Sequence, residues 1–585
     1  MKKFGITLTL LGVAVLAAYS STDYSQFNQP LSVVKYSVVK YSSDQEILHA
    51  LNRLTFGPRP GDVEAVRKMG LKKWIDQQLH PERIAENPEV AERLQPLESL
   101  HMTAAEIATN YPPRVVVQAM SKGLLPLPKD PEAQERVQTE LQRFRALQQA
   151  KADGEPKIAG QGKGDAALQQ AMRRQVLTTS DPVERRKLVA DKAPQQAIPY
   201  DLNEAKLYRA IYSNRQLEEQ MTDFWFNHFN VYMDKGADRI LIATYERDAI
   251  RPHVFGKFRD LLEATAQSPA MLFYLDNWQS VASEPGERAI SQRVRLRAKG
   301  KQARGLNENY ARELMELHTL GVDGGYTQKD IVEVARCFTG WTIDQPNRGG
   351  GFVYNDRVHD KGEKIVLGVK IPAGGGREDA EKVLDILARE PATARFISTK
   401  LAQKFVADDP PPALIDRMAK TFHDTDGDIR AVMAAMIESK EFFSEGAYRS
   451  KVKTPLELIV SAARATDAQV TFAIPLAQQI AQLGQPLYRK VEPTGYSSAN
   501  AEWVNSAALL ARMNFALALT DNRVPGSKVD TKTFENSAAS VARLLLFREP
   551  TKQTLDSIQK ALAQKEPTPA LVAGLVLGSP DFQRR

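Results

Sequence analysis

Apolar residues recur every three or four positions over most of the chain, the spacing of one buried helix face. Ser43 or Asp44 can cap a helix running to about Arg53. Gly57-Pro58-Arg59-Pro60-Gly61 breaks the chain, and Asp62 caps the next helix toward Met69, with Trp74, Ile75 and Leu79 continuing the period. Farther on, Leu217, Met221, Phe224, Trp225, His228 and Val231 share one arc of a helix from about Gln216 to Tyr232. Asn307 is a good N-cap and Gly321 a good C-terminal stop, so a sharply bounded helix lies between them. The exception is Gly349 to Val369, where Phe352, Tyr354, Ile365 and Leu367 flank a polar turn near Asp360 to Gly362. Helices resume from Asp379, broken at Pro410 to Pro412, Pro455, Pro486 and Gly495. The predicted fold class is mainly α: a large multi-helix body with one small β-hairpin near 349–369.

Two stretches depart from this pattern. Lys2 and Lys3 precede an apolar run from about Ile6 to Ala18, too short to span a bilayer comfortably and right for a signal-peptide core. Ala18-Tyr19-Ser20 offers small residues where a signal peptidase reads, and Tyr19 stands where a lipidated Cys would be. Residues 1–20 are therefore expected to be a signal peptide and the protein exported, periplasmic or secreted, without a lipid anchor. Residues 21–43 read as a linker, with Val33 to Ser37 repeated as Val38 to Ser42. The second stretch, about 129–196, is rich in Gln, Lys, Arg, Glu and Ala around four glycines, and reads as a polar, flexible insertion of solvated helices.

Composition narrows the class. The 585 residues are 43% hydrophobic and 25% charged, which excludes wholesale disorder. One cysteine, Cys337, excludes an intrachain disulfide and a Cys-based zinc cluster, and its apolar neighbours read it as an inert core thiol. A net charge of +7 over this length is far below the density of a nucleic-acid binder. No nucleic-acid partner is expected, and no membrane contact after signal cleavage.

Candidate chemistry gathers in three places. His228 points into the densest aromatic packing in the chain, where it could be base, acid, metal ligand or a satisfied core histidine, and Asn227 lies at the edge of that arc. On the helix after Asn307, Glu308, Asn309, Arg312, Glu313 and Glu316 share one polar face, and Tyr310, Ala311, Leu314, Leu317 and His318 the apolar one. Glu313 and His318 are about 140° apart and cannot ligate one metal together. Glu308–Arg312 and Arg312–Glu316 have the spacing of a surface ion-pair ladder, while the density of polar groups fits a cleft lining. The third place is His359-Asp360 at the expected turn. Asp424 to Asp428 hints at a calcium loop but lacks the closing Glu, so Asp428 reads as a helix cap. Gly374 to Arg377 lacks the setting of a phosphate loop.

Leu51 to Pro58, Phe224 to Phe229, Leu275-Asp276-Asn277, Asn307 to Gly321, Thr339-Gly340-Trp341 and His359-Asp360-x-Gly362-x-Lys364 together resemble a large bacterial family of unknown function. Its members are usually exported and often encoded beside a sulfatase-like family with a twin-arginine signal. The resemblance implies one helical family domain over 44–585, leaving only about 129–196 unplaced, and a sulfatase-like protein as partner. Asn227 and His228, with Tyr310 and Arg312, are also similar to the Asn, His, Tyr and Arg set of helical-toroid polysaccharide lyases, although Tyr310 and Arg312 lie about 160° apart on a regular helix.

These features support three functions. The first is an enzyme acting on polysaccharide or on acidic or sulfated glycan, by lyase chemistry or by hydrolysis with paired carboxylates such as Glu308 and Glu313. The second is a metal-dependent enzyme using His228, His359 and Asp360, its metal and any other cofactor unspecified. The third is a non-catalytic envelope scaffold or partner of the sulfatase-like protein. The catalytic candidates are Asn227, His228, Glu308, Asn309, Arg312, Glu313, His359 and Asp360.

Overall fold

The computed structural model describes residues 42–152, 173–282, 305–535, 537–563 and 566–585. The expected signal peptide, nearly all of the linker, and residues 153–172 of the polar stretch lie outside the described residues.

The fold is mainly α. The elements that frame the candidate residues begin with α1 (Ser43–Leu54), α2 (Pro194–Tyr212) and α3 (Gln216–His228). Next are α4 (Asp238–Thr244), α5 (Phe258–Gln267), α6 (Glu308–Glu313) and α7 (Gln328–Cys337). Last come α8 (Glu378–Arg389), α9 (Pro391–Phe405), α10 (Pro412–Asp424) and α11 (Pro455–Ala465). Their starts are written locally. Ser42, one residue before the expected cap, closes a reciprocal capping box with Gln45 on α1, as Thr327 does with Asp330 on α7 and Thr454 with Glu457 on α11. α2 is buried on all sides and runs through the centre of the body. Pro199 inside it has no N–H for the carbonyl of Gln195, and Arg239 Nε donates to that oxygen instead at 3.1 Å.

Within the polar stretch, residues 131–152 and 182–192 are helical. Arg185, Arg186, Val189 and Ala190 are buried, and the Arg186 guanidinium pairs with the fully buried Asp201 of α2 at 2.5 Å.

One apolar core runs from Ile47 of α1 to Phe582. Its centre is an aromatic row. Trp225 and Phe229 pack on Phe258 of α5 at 5.9 and 6.4 Å, and Phe258 packs on Phe422 of α10 at 5.6 Å. Cys337 is buried there, and burial pushes its thiol up to about 12, so it is the inert thiol expected.

The β content differs in placement from the expectation. Two hairpins occupy the region instead of one. β1 (Trp341–Ile343) pairs antiparallel with β2 (Phe352–Tyr354), Trp341 opposite Tyr354. β3 (Lys364–Val366) pairs with β4 (Val369–Ile371) around Leu367-Gly368, both at positive φ (47° and 80°) as a two-residue hairpin turn requires. Asp360 to Gly362 is therefore not the hairpin turn. A third antiparallel pair joins β5 (Gln469–Val470) to β6 (Ser527–Lys528). Asp428 caps the following helix, its carboxylate accepting the Ala431 N–H at 2.9 Å. Among the described residues no helix is long and apolar enough to cross a membrane.

Candidate functional site

The period of α3 places His228 in the core and Asn227 at its rim. The imidazole packs edge-on to Phe229 and Trp225 at 4.5 and 5.5 Å, and tilted against Phe396 of α9 at 6.2 Å. Its Nε2 lies 3.1 Å from the carbonyl of His318. A carbonyl only accepts, so Nε2 carries the hydrogen, and Nδ1 has no partner among the described residues. Burial, then the nearby charge of Lys400, hold His228 well below the usual imidazole range, and the same two causes push His318 down to about 3. α6 continues into a π-helical turn over Leu314–Thr319, and its end leaves the His318 carbonyl for His228 to bond. His228 is thus a neutral histidine joining two helices inside an apolar cluster.

Asn227 faces the other way. Its Oδ1 accepts the Tyr496 N–H at 2.7 Å and its Nδ2 donates to the Tyr496 carbonyl at 2.9 Å. A Cβ at Gly495 would stand 2.1 Å from the Asn227 carbonyl oxygen, and Gly495 has φ +71°, so only glycine fits there. Asn230 donates to the carbonyls of Lys490 and Glu492 at 3.0 and 2.9 Å. Together the two amides hold the backbone of 490–496 against α3.

The polar face of α6 is tied to α7. Gln328 Nε2 donates to Glu308 at 2.8 Å, and Arg312 donates to Gln328 Oε1 at 2.9 Å. This long-range bridge stands where a ladder within the helix was expected. Asn309 is exposed, and its amide N–H is taken by the Asn307 cap. Burial and the charge of Glu316 raise the Glu313 carboxyl, with Arg312 opposing.

His359 and Asp360 belong to a third place. His359 Nδ1 sits 2.8 Å from the Thr339 carbonyl, and Nε2 sits 3.2 Å from Asp379 of α8. Lys364 of β3 reaches the same Asp379 oxygen at 2.6 Å. Asp360 forms a two-pronged pair with Arg336 of α7 at 2.9 and 3.0 Å and accepts the Gly362 N–H at 2.9 Å. Burial alone would raise its carboxyl, but these bonds hold it lower than usual. The His-Asp-x-Gly-x-Lys sequence is a knot that fastens the β3–β4 hairpin to α7 and α8.

The eight candidates therefore do not converge. His228, Glu308 with Arg312, and His359 with Asp360 make separate sets of contacts. Tyr310 is buried against Phe338 at 5.1 Å, so the lyase-like quartet is not assembled. Among the described residues no three His, Cys, Asp or Glu side chains come together to hold a metal ion.

What does converge is a cleft of about 310 Å³, lined by Asn227 and Asn230, Phe224 and Phe226, and by residues absent from the sequence-based set. Its lining cations are Lys206, Lys400, Lys404, Lys451 and Arg585. Lys206 is matched by Asp223 and Glu246 at 3.2 and 3.3 Å, Lys404 and Arg585 by Glu457 at 2.7 and 2.8 Å, and Lys451 by Asp408. Lys400 is different. Its ammonium lies 5.4 Å from the Phe396 ring centre, and among the described residues it forms no carboxylate pair. Burial pushes it down to about 8. Gln403, Gln485, Tyr488 and Tyr496 add hydrogen-bonding groups to the wall. Asp223, one turn before Asn227 on the same face of α3, was the signal that could have extended the sequence-based set toward this cleft.

No curated protein and no solved structure matches the chain. A family model described as "Protein of unknown function (DUF1800)" matches residues 49–584, from α1 through the central helices to the last residues of the body. The chain belongs to the DUF1800 family.

Proposed function

We propose that this protein is an exported enzyme that binds an acidic or sulfated glycan in the cleft beside Asn227, with Lys400 as general base. The observation that carries the proposal is Lys400, the cleft-lining cation without a carboxylate partner among the described residues. A half-buried cation left without a carboxylate favours an incoming anion, and a lysine pushed down to about 8 is in part a free amine near neutral pH. The phenols of Tyr488 and Tyr496 donate to Glu246 and the Pro486 carbonyl, and the Gln403 and Gln485 amides add donors that a hydroxyl-rich ligand can use. Neutral His228, held 2% exposed in the core, leaves the proton-transfer role to Lys400. The signal-like first twenty residues support an activity outside the cytoplasm.

Titration calorimetry with matched acidic, sulfated and neutral oligosaccharides tests the proposal. Acidic or sulfated ligands should bind, neutral ones should not, and Lys400→Met should abolish the binding. Equal affinity for neutral and anionic ligands, or unchanged binding by Lys400→Met, removes the assignment. Export is tested by the mass of the protein recovered from the periplasm or medium, which should lack a leader of about twenty residues.

A further inference from the structure

Arg585 borders a second, smaller cavity of about 30 Å³, whose lining also includes Lys453, Arg449, Arg548, His49 and Phe582. Charge is badly balanced around it. Among the described residues, Arg53, Lys404, Arg449, Lys451, Lys453, Arg548 and Arg585 surround three side-chain carboxylates, Asp408, Glu457 and Asp581. The excess stands even with the α-carboxylate of Arg585 counted among the acids.

All three carboxylates are engaged on both oxygens, Asp408 by Lys451 and, at 2.8 Å, by the Asn500 N–H. Glu457 accepts from Lys404 and Arg585 on one oxygen and from the Thr454 N–H at 2.9 Å on the other. Asp581 pairs with Arg449 and Arg548 on one oxygen, and accepts both the N–H and the hydroxyl of Thr551, at 2.8 and 2.9 Å, on the other. None of the three pairs with Lys453 among the described residues. That side chain is 4% exposed, and its ammonium sits 3.7 Å over the Phe582 ring with no carboxylate partner among the described residues. Two further donors of the lining are orphaned among the described residues: Nε of Arg585, which is 3% exposed, and Nε of Arg449. His49 contributes no charge. Its Nε2 bonds the Phe442 carbonyl at 2.8 Å, and burial followed by Arg53 pushes it down to about 3.

Unmatched buried cations and buried donors without acceptors are each unfavourable, and one bound anion relieves both. We infer that the cavity between Lys453 and Arg585 is a site for a small inorganic anion of about chloride size. The volume sets the class, since it holds on the order of two waters, too little for an oligosaccharide. The site is separate from the glycan cleft, with Arg585 on the border of both, and it stands or falls independently of the function proposed there.

Thermal unfolding of the whole protein at fixed ionic strength, with sodium chloride replacing sodium gluconate, reads the site. Gluconate is too large for the cavity. Wild type should show a saturable rise in Tm of about 1–3 °C with chloride. Lys453→Met, which keeps the apolar stem on Phe582, should show none. Equal Tm in the two salts, or the same rise in Lys453→Met, overturns the inference. Should that variant fail to fold, bromide-soaked wild-type crystals give the answer: an anomalous peak between Lys453 and Arg585 supports the site, and an empty cavity refutes it.

Discussion

At the residue scale, the account rests on which side chains are satisfied. Asn227 and His228 are neighbours with opposite fates, because a 100° step on α3 turns one to the cleft and the other to the core. Asn227 makes two bonds to the Tyr496 backbone, so Asn227→Ala should cost about 1–3 kcal/mol of stability and weaken ligand binding through the released loop. Asn227→Asp should be worse, since a carboxylate would face the Tyr496 carbonyl. Urea unfolding of both variants checks the order. Lys400 was not legible in the sequence, because a lysine in a helix ordinarily reads as solvated. Only the tertiary arrangement shows that its neighbours are Phe396, His228 and His318 instead of a carboxylate.

Helices and caps, the elements themselves, were largely readable. The capping pairs Thr327–Asp330 and Thr454–Glu457 act within three residues, so local sequence determines them. Partnerships across elements were not. Trp341 to Ile343 pairs with residues some ten positions on, and a Leu at positive φ hides the Leu367-Gly368 turn behind an ordinary strand residue. Likewise, Arg312 and Glu308 find Gln328 on α7, which no spacing within α6 reveals. The His359–Asp360 knot is a fastener. A double-mutant cycle of Arg336→Met and Asp360→Asn should give a coupling of about 1–3 kcal/mol in stability and leave the ligand affinity of the folded protein unchanged. A collapse of affinity in a fully folded Asp360→Asn protein would instead return Asp360 to the site.

Over the whole molecule, the mainly α class was legible from the period of apolar residues, whereas the position of the cleft was not. It forms where α2, α3, α9 and α11 meet the 490–498 loop, and no short motif spans them. The same long-range assembly lowers the pKa of three buried histidines. His49 and His318 are pushed down to about 3 and His228 well below its usual value, all by burial first. The unfolded chain, with ordinary imidazoles near 6.5, binds more protons than the folded one at any pH between those values. Stability supported by the three neutral rings is therefore full above about pH 6.5 and is lost as pH falls below it, by roughly 1.4 kcal/mol per ring per pH unit. Chemical denaturation at pH 7 and pH 5 should show this loss, and His318→Gln should have a shallower slope than wild type.

In the function proposed above, Lys400 acts on an anionic glycan in the cleft. The most direct measurement is turnover of an acidic-glycan panel, followed by ultraviolet absorbance of unsaturated products and by release of reducing ends. Wild type should turn over at least one member, with kcat/KM rising with pH through about 8 as Lys400 loses its proton. Lys400→Arg should keep the charge and the binding while lowering kcat by about 10²–10⁴-fold. Full turnover by folded Lys400→Arg, or no turnover of any acidic glycan by wild type, would contradict the account.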